Sequence, residues 1–193
     1  MKILILGAAF DPPHNGHMTM ARQVIEKGIA DKVILMPCGN HAFAKNMSSA
    51  SDRYAMTKIM FAELIKGGSE NFELSDLEIR RSGVSYAWDT LETIAQINPE
   101  MEVGWLMGSD QLRNFSKWYK YQEILANYPA YVYPRKNYPL EPWYSGMIEI
   151  KDVPEIEISS SEIRAKYLNG NTIDGLVLPS LADYIKEKRL WIK

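Results

Sequence analysis

Two apolar runs near the start of the chain, Ile3-Leu4-Ile5-Leu6 and Val33-Ile34-Leu35-Met36, constrain the fold more than any other feature. Each is continuous rather than alternating, which is the pattern of a parallel strand covered on both faces. Between them, residues 18–27 place Met20, Ala21, Val24 and Ile25 on one stripe, with Arg22, Gln23, Glu26 and Lys27 outside. That is a helix, and Gly28 is suited to end it. A strand, a helix and a second strand in this order predict a right-handed, parallel crossover. The expected class is α/β.

The turn after the first strand is the most informative stretch. The strand ends at Gly7, where a backbone can approach a ligand closely. Asp11-Pro12-Pro13 then stiffens the turn, and His14-Asn15-Gly16-His17 opens the helix. Free N–H groups and the positive end of the helix dipole attract phosphate at such a place. Two of the three histidines in the chain fall in this four-residue window, three apart and so on one face of the first turn. A single histidine there would read as a helix cap. Two at the carboxyl end of a first strand read as a nucleotide-handling loop.

Further along, residues 38–50 read as a loop on the same sheet edge, with His41 and Lys45 as candidate phosphate contacts beside the plain reading of a solvated lysine. Ser49 or Ser51 caps a helix over 52–65, with Met56, Ile59, Met60 and Leu64 inward. Arg53 in its first turn opposes the helix dipole, which an anionic neighbour or a buried carboxylate would explain; simple solvent exposure is the preferred reading. Residues 71–79 read as a strand with Phe72, Leu74 and Leu77 in the core, and Ser85 as the cap of a helix over 86–97. Val103-Gly104-Trp105-Leu106-Met107 is another buried strand, with Gly108-Ser109-Asp110 at its carboxyl end. Asp110 there can accept from ribose hydroxyls or cap the helix that follows; both readings stand. Trp118, Tyr119 and Tyr121 form an aromatic packing surface, and a fifth strand covers 130–133, followed by Pro134-Arg135. Residues 137–146 read as a surface loop, 147–150 as a short strand and 155–158 as extended chain. Ser159 and Glu162 fit a capping box. Three consecutive serines exceed what a cap needs, so Ser160 and Ser161, with Arg164 one turn in, read as a second anion site. A final helix covers 180–188.

The 193 residues fit one domain spanning 1–193. With 46% hydrophobic and 24% charged residues the composition is that of a globular chain, and a net charge of −2 carries no polyelectrolyte signal for nucleic acid. Cys38 stands alone, so no intrachain disulfide forms. No apolar run reaches the roughly 20 residues a membrane span needs. A cytoplasmic protein is expected. Association with further copies of itself is left open.

The loop 7–17 together with Ile158-Ser159-Ser160-Ser161-Glu162-Ile163-Arg164 resembles the nucleotidyltransferase superfamily with the His-x-Gly-His motif. The chain is most similar to its bacterial nicotinate-nucleotide adenylyltransferase family. Ser85-Tyr86-Ala87-Trp88-Asp89-Thr90-Leu91, Gly108-Ser109-Asp110 with Trp118, and Leu178-Pro179 with Leu190-Trp191 match further segments in order. The resemblance implies a Rossmann-like, doubly wound parallel sheet with helices on both faces. It implies transfer of the adenylyl group of ATP to nicotinic acid mononucleotide, releasing pyrophosphate. Carried over, His14, His17 and Arg164 act on the phosphates with Ser160 and Ser161. Gly7, Ala8 and Phe10 pass backbone groups along the nucleotide, Gly108 and Asp110 hold adenosine, and Lys45 reaches phosphate. Tyr86, Ala87, Trp118 and Tyr119 surround the pyridine. Mg²⁺ is implied, held mainly through the ATP phosphates with no protein ligand.

Such chemistry needs no protein nucleophile, since the acceptor phosphate itself attacks the α-phosphorus; catalysis is positioning and charge neutralisation. The chain departs from the family at Ala8-Ala9, at Ala87 and in the loop 40–45, which bears on the acceptor rather than on adenylyl transfer. Nicotinamide mononucleotide or phosphopantetheine as acceptor, and a non-catalytic nucleotide-binding module, are the alternatives. The phosphopantetheine enzymes are shorter and lack the tryptophan-rich middle.

Overall fold

The computed structural model describes residues 1–41, 47–66 and 70–192. In chain order the elements are β1 (Lys2–Ala8), α1 (Asn15–Glu26), β2 (Lys32–Pro37), β3 (Asn40–His41), α2 (Ala50–Met60) and α3 (Ala62–Lys66). Then follow β4 (Phe72–Leu74), α4 (Leu77–Arg80), β5 (Val84–Ser85), α5 (Ala87–Ile97) and β6 (Glu102–Gly108). A 3₁₀ turn at Ser109–Gln111 leads into α6 (Leu112–Phe115), α7 (Tyr121–Asn127), β7 (Ala130–Tyr133), β8 (Met147–Glu149), α8 (Ser160–Leu168) and α9 (Pro179–Glu187).

Six strands pair in the order β4-β2-β1-β6-β7-β8, every pair parallel. This is the doubly wound Rossmann-like order, reversing direction between β1 and β6. The continuous apolar runs explain it. In β1, Leu4 and Leu6 face one core with Met20, Val24, Met56, Met60, Ile163 and Leu181, while Ile3 and Ile5 face another with Trp88, Leu91, Phe115 and Ile124. Helices α1, α2, α8 and α9 therefore cover one face, and α5, α6 and α7 the other. At about 25 cal/mol per Å² of apolar surface removed from water, this two-sided burial is the main term holding the sheet.

Local signals account for the helix ends. His14 is the N-cap of α1, Ser49 caps α2 by accepting from the Asp52 N–H at 3.0 Å, and Ser159 forms the expected capping box with Glu162. Pro179 occupies the first turn of α9, one residue ahead of the expected start.

Four expectations are corrected. The helix over 52–65 is interrupted at Phe61, whose buried ring turns in beneath Phe10 with 6.1 Å between centroids. The strand over 71–79 ends at Leu74, because Ser75 Oγ accepts from the Leu77 N–H and Asp76 pairs with Arg80 at 2.6 Å, closing a helical turn instead. Ser85 is not a cap: it lies in β5, which pairs with β3 inside the expected loop, and its Oγ accepts from the Gly39 N–H at 2.9 Å. Arg53 is 1% exposed rather than solvated. It lies on the inward face of α2 with Met56 and Met60, where its guanidinium finds carbonyl partners.

Candidate active site

The carboxyl ends of β1 and β6 flank the point where the strand order reverses, and a cavity of about 310 Å³ opens there. Its lining combines the β1 loop, the end of β6, the starts of α5 and α8, and Trp118, Tyr119 and Arg135.

The β1 loop is held from several sides. Phe10 has a left-handed backbone (φ 51°), costing on the order of 1–2 kcal/mol for a residue with a Cβ. Burial of its ring offsets this: it packs edge-on against His17, 4.9 Å between centroids. The buried Asp11 carboxylate accepts from Trp191 Nε1 at 2.9 Å and from the Ser48 N–H at 3.1 Å. Arg53 donates to the carbonyls of Ala9 (2.9 Å), Gly39 (2.6 Å) and Ser48 (3.2 Å), tying the loop to the end of β2. From the other wall, Ser160 Oγ donates to the Pro12 carbonyl at 2.8 Å and Arg164 Nη1 donates to the Asp11 carbonyl. Ser160 and Arg164 thus join α8 to the loop. Arg164 Nη2 also donates to Ser161 Oγ at 3.2 Å.

His14 and His17 stack with 3.8 Å between ring centroids. The His14 N–H donates to His17 Nδ1 at 3.2 Å, which leaves the proton of a neutral His17 on Nε2, as a donor. Burial first, then repulsion from His17 should it also be protonated and from the Arg135 charge, hold His14 well below the ordinary imidazole range. Burial and Arg135 lower His17 to about 3. Both rings are neutral hydrogen-bond donors near neutral pH. They lie beside an opening that an anion can enter, where they can neutralise charge gathering on phosphate.

At the end of β6, Asp110 is ion-paired with Arg135 at 2.9 Å and makes no capping bond, so the capping reading falls. Gly108 allows this pair, since a Cβ there would lie 2.5 Å from Asp110 Oδ1 and 2.6 Å from Arg135 Cδ. Gly7 has a comparable reason: a Cβ would stand 2.3 Å from the Trp105 ring. Across the cavity Tyr86 and Tyr119 pack at 4.8 Å, Trp118 meets Trp105 at 6.0 Å, and Ala87 starts α5. Tyr86 precedes α5 and supplies no side-chain cap to its first turn.

The chain matches the cytidylyltransferase-like family over residues 5–166. It belongs to that family of nucleotidyltransferases. Among its relatives is a protein of Caldicellulosiruptor bescii named as a probable nicotinate-nucleotide adenylyltransferase, 34% identical over 99% of both chains. Another, of Halalkalibacterium halodurans and with the same name, is 31% identical over 98% of this chain and 91% of its own. The fold is that of the Plasmodium falciparum nicotinic acid mononucleotide adenylyltransferase solved with NaAD, at a TM-score of 0.82, 22% identity and coverage of 98% and 96%.

In this nucleotidyltransferase the cavity gathers Gly7, Ala8, Phe10, His14, His17, Gly108, Asp110, Ser160 and Ser161 with Tyr86, Ala87, Trp118 and Tyr119. Arg164 reaches the same loop through the Asp11 carbonyl. Lys45 and the side chain of His41 lie outside the described residues. Sequence reasoning gave no role to Arg135, although it follows a strand end just as Asp110 does. Nor did it single out Glu78, a buried carboxyl at the cavity wall that accepts from Thr90 Oγ1 at 2.6 Å. Burial raises its pKa, opposed by the hydroxyls of Thr90 and Ser85 and by Arg81 and Arg53. Among the described residues no three His, Cys, Asp or Glu side chains gather as a metal-binding group. The carboxyls of Asp110 and Glu78 in the cavity lining and of Asp11 in the β1 loop are already engaged. Also among the described residues, no helix is long and apolar enough to cross a membrane.

Proposed function

We propose that this enzyme transfers the adenylyl group of ATP to nicotinic acid mononucleotide, giving deamido-NAD and pyrophosphate. The observation that carries the reading is the pair of stacked imidazoles at the carboxyl end of β1, lining one cavity with the start of α8. Relatives of about this length, more than 30% identical throughout, carry the name of that activity.

An oxygen of the acceptor's 5′-phosphate forms the new bond to the α-phosphorus, and the bond from the α-phosphorus to the bridging oxygen breaks, releasing pyrophosphate. His14 and His17 donate to the phosphate oxygens, His17 through Nε2. The N–H groups of Ser160 and Ser161, with the free edge of Arg164, hold the β- and γ-phosphates. Gly7, Ala8 and Phe10 line the nucleotide's path, and Gly108 and Asp110 hold adenosine with Arg135 beside them. Tyr86, Ala87, Trp118 and Tyr119 enclose the pyridine. A divalent cation, Mg²⁺, carried on the triphosphate oxygens suits a site whose own carboxylates are engaged; it would supply further charge neutralisation. One domain spanning residues 1–193 carries both half-sites, and a cytoplasmic setting suits an enzyme that consumes ATP.

Purified protein incubated with ATP, Mg²⁺ and nicotinic acid mononucleotide should form deamido-NAD and pyrophosphate, followed by chromatography. No turnover of either pyridine mononucleotide would overturn the assignment. Replacing His17 by Ala should lower kcat by about 10²–10³ while leaving the circular dichroism spectrum unchanged.

A further inference from the structure

Among the described residues, five buried side-chain polar atoms have no hydrogen-bond partner in the protein, and three of them, His14 Nδ1, Trp105 Nε1 and Arg135 Nε, belong to residues that line the cavity. Unpaired polar atoms are uncommon in protein interiors, and three on residues around one opening mark it as a place where a ligand can complete them. His14 and Arg135 belong to the phosphate and adenosine side already described. Trp105 does not.

Trp105 is 5% exposed and sits on the face of β6 that carries the acceptor wall. In register it lies opposite Ile5, yet its ring reaches along β1 to Gly7: Cζ2 and Cη2 lie 2.3 Å, and Cε2 3.4 Å, from where a Gly7 Cβ would stand. The side of the six-membered ring next to the indole nitrogen is therefore carried to the carboxyl end of the sheet. Trp118 meets the ring there at right angles (86°). Tyrosine or phenylalanine would supply the same apolar packing. Indole adds one donor that can only donate, buried with no acceptor for it among the described residues.

We propose that the indole N–H of Trp105, whose ring lies against Gly7 beside Trp118, donates to an anionic oxygen of the acceptor mononucleotide and makes Trp105 an acceptor-binding residue. This rests on the adenylyl-transfer reading above. The anionic oxygen belongs either to the ring carboxylate or to the 5′-phosphate. A hydrogen bond to a charged group, formed where water is excluded, is worth about tenfold in affinity or somewhat more.

Trp105→Phe keeps an aromatic ring against Gly7 and removes the N–H alone. Steady-state kinetics should show KM for nicotinic acid mononucleotide rising about tenfold, with KM for ATP unchanged. With nicotinamide mononucleotide as a second acceptor, a reduced preference for the acid assigns the bond to the carboxylate, and an equal loss on both assigns it to the phosphate. An unchanged acceptor KM, or an equal rise in KM for ATP, overturns the proposal. If the wild-type enzyme uses neither pyridine mononucleotide, the adenylyl-transfer reading has failed instead. Wild-type protein gives a second reading that does not require the variant to fold. In a ¹H–¹⁵N spectrum of ¹⁵N-tryptophan-labelled protein, the indole signal whose ring protons contact Gly7 should move on adding nicotinic acid mononucleotide and stay put with ATP alone. An unmoved signal sinks the proposal.

Discussion

Trp191 Nε1 donates to Asp11 Oδ1 at 2.9 Å, joining the end of the described chain to the turn that carries the two histidines. Asp11 is 1% exposed, and Ser48 N–H is its other partner among the described residues. A buried carboxylate that loses one of two donors costs about 1.5–3 kcal/mol. Trp191→Phe keeps the edge-on contact with Tyr167, 5.8 Å between centroids, and removes the donor. Chemical denaturation should show stability lower by about that amount. In a double-mutant cycle with Asp11→Asn the two losses should be clearly non-additive.

Arg53 is the second brace of the same turn. Three carbonyls, of Ala9, Gly39 and Ser48, depend on one buried guanidinium. Arg53→Met fills the space but leaves those oxygens unpaired and withdraws a positive charge from the buried Glu78 carboxyl. The expected loss is about 3–5 kcal/mol, read as a lower denaturation midpoint. Arg53→Lys should recover only part of it, because an ammonium cannot span three carbonyls with the guanidinium's fixed fork.

These two braces mark where sequence reading stops. The runs at 3–6 and 33–36 and the Ser159–Glu162 box were legible because their signals are local: continuous apolarity in one case, a three-residue spacing in the other. The paired histidines were legible for the same reason. Arg53 was in register with Met56 and Met60, so its position was readable, but its charge argued for solvent and only the carbonyls around it reverse that. The break at Phe61 depends on Phe10, fifty-one positions earlier in the chain. The Trp191–Asp11 bond depends on where α9 docks, and no local pattern encodes that.

Asp110 and Arg135 stand opposite each other at the ends of β6 and β7, 2.9 Å apart and largely shielded from water. Neither residue was read as the other's partner, since their strands had first to be placed side by side. Asp110→Asn removes the carboxylate while keeping its size. Arg135 then retains the Ile158 carbonyl and the face of Tyr138, 5.6 Å from the ring centroid. If Asp110 holds the adenosine half, calorimetric titration should show ATP affinity reduced by about ten- to a hundredfold, with acceptor affinity changed much less. Equal losses for both ligands would mean that the pair shapes the whole cavity instead.

The histidine pair predicts the enzyme's response to acid. Both imidazoles have folded-state pKa values below the ordinary value near 6.5, His17 at about 3 and His14 well below that ordinary value, each because burial disfavours the cation. Below pH 6.5 the unfolded chain therefore takes up protons that the folded chain refuses. The unfolded state binds more protons in this window, so stability rises with pH across it and falls as the pH is lowered from about 6.5 towards 3. Each neutral buried imidazole contributes a slope of up to about 1.4 kcal/mol per pH unit, less for His17, which also borders the open cavity. Tm measured from pH 7.5 to 4.5 should drop more steeply for the wild type than for His14→Asn, which cannot take up the proton in either state. Triphosphate entering the cavity brings negative charge beside both rings and raises their pKa values, so saturating ATP should flatten the wild-type profile as well. A His14→Asn profile as steep as the wild type would mean that His14 is already protonated in the folded enzyme.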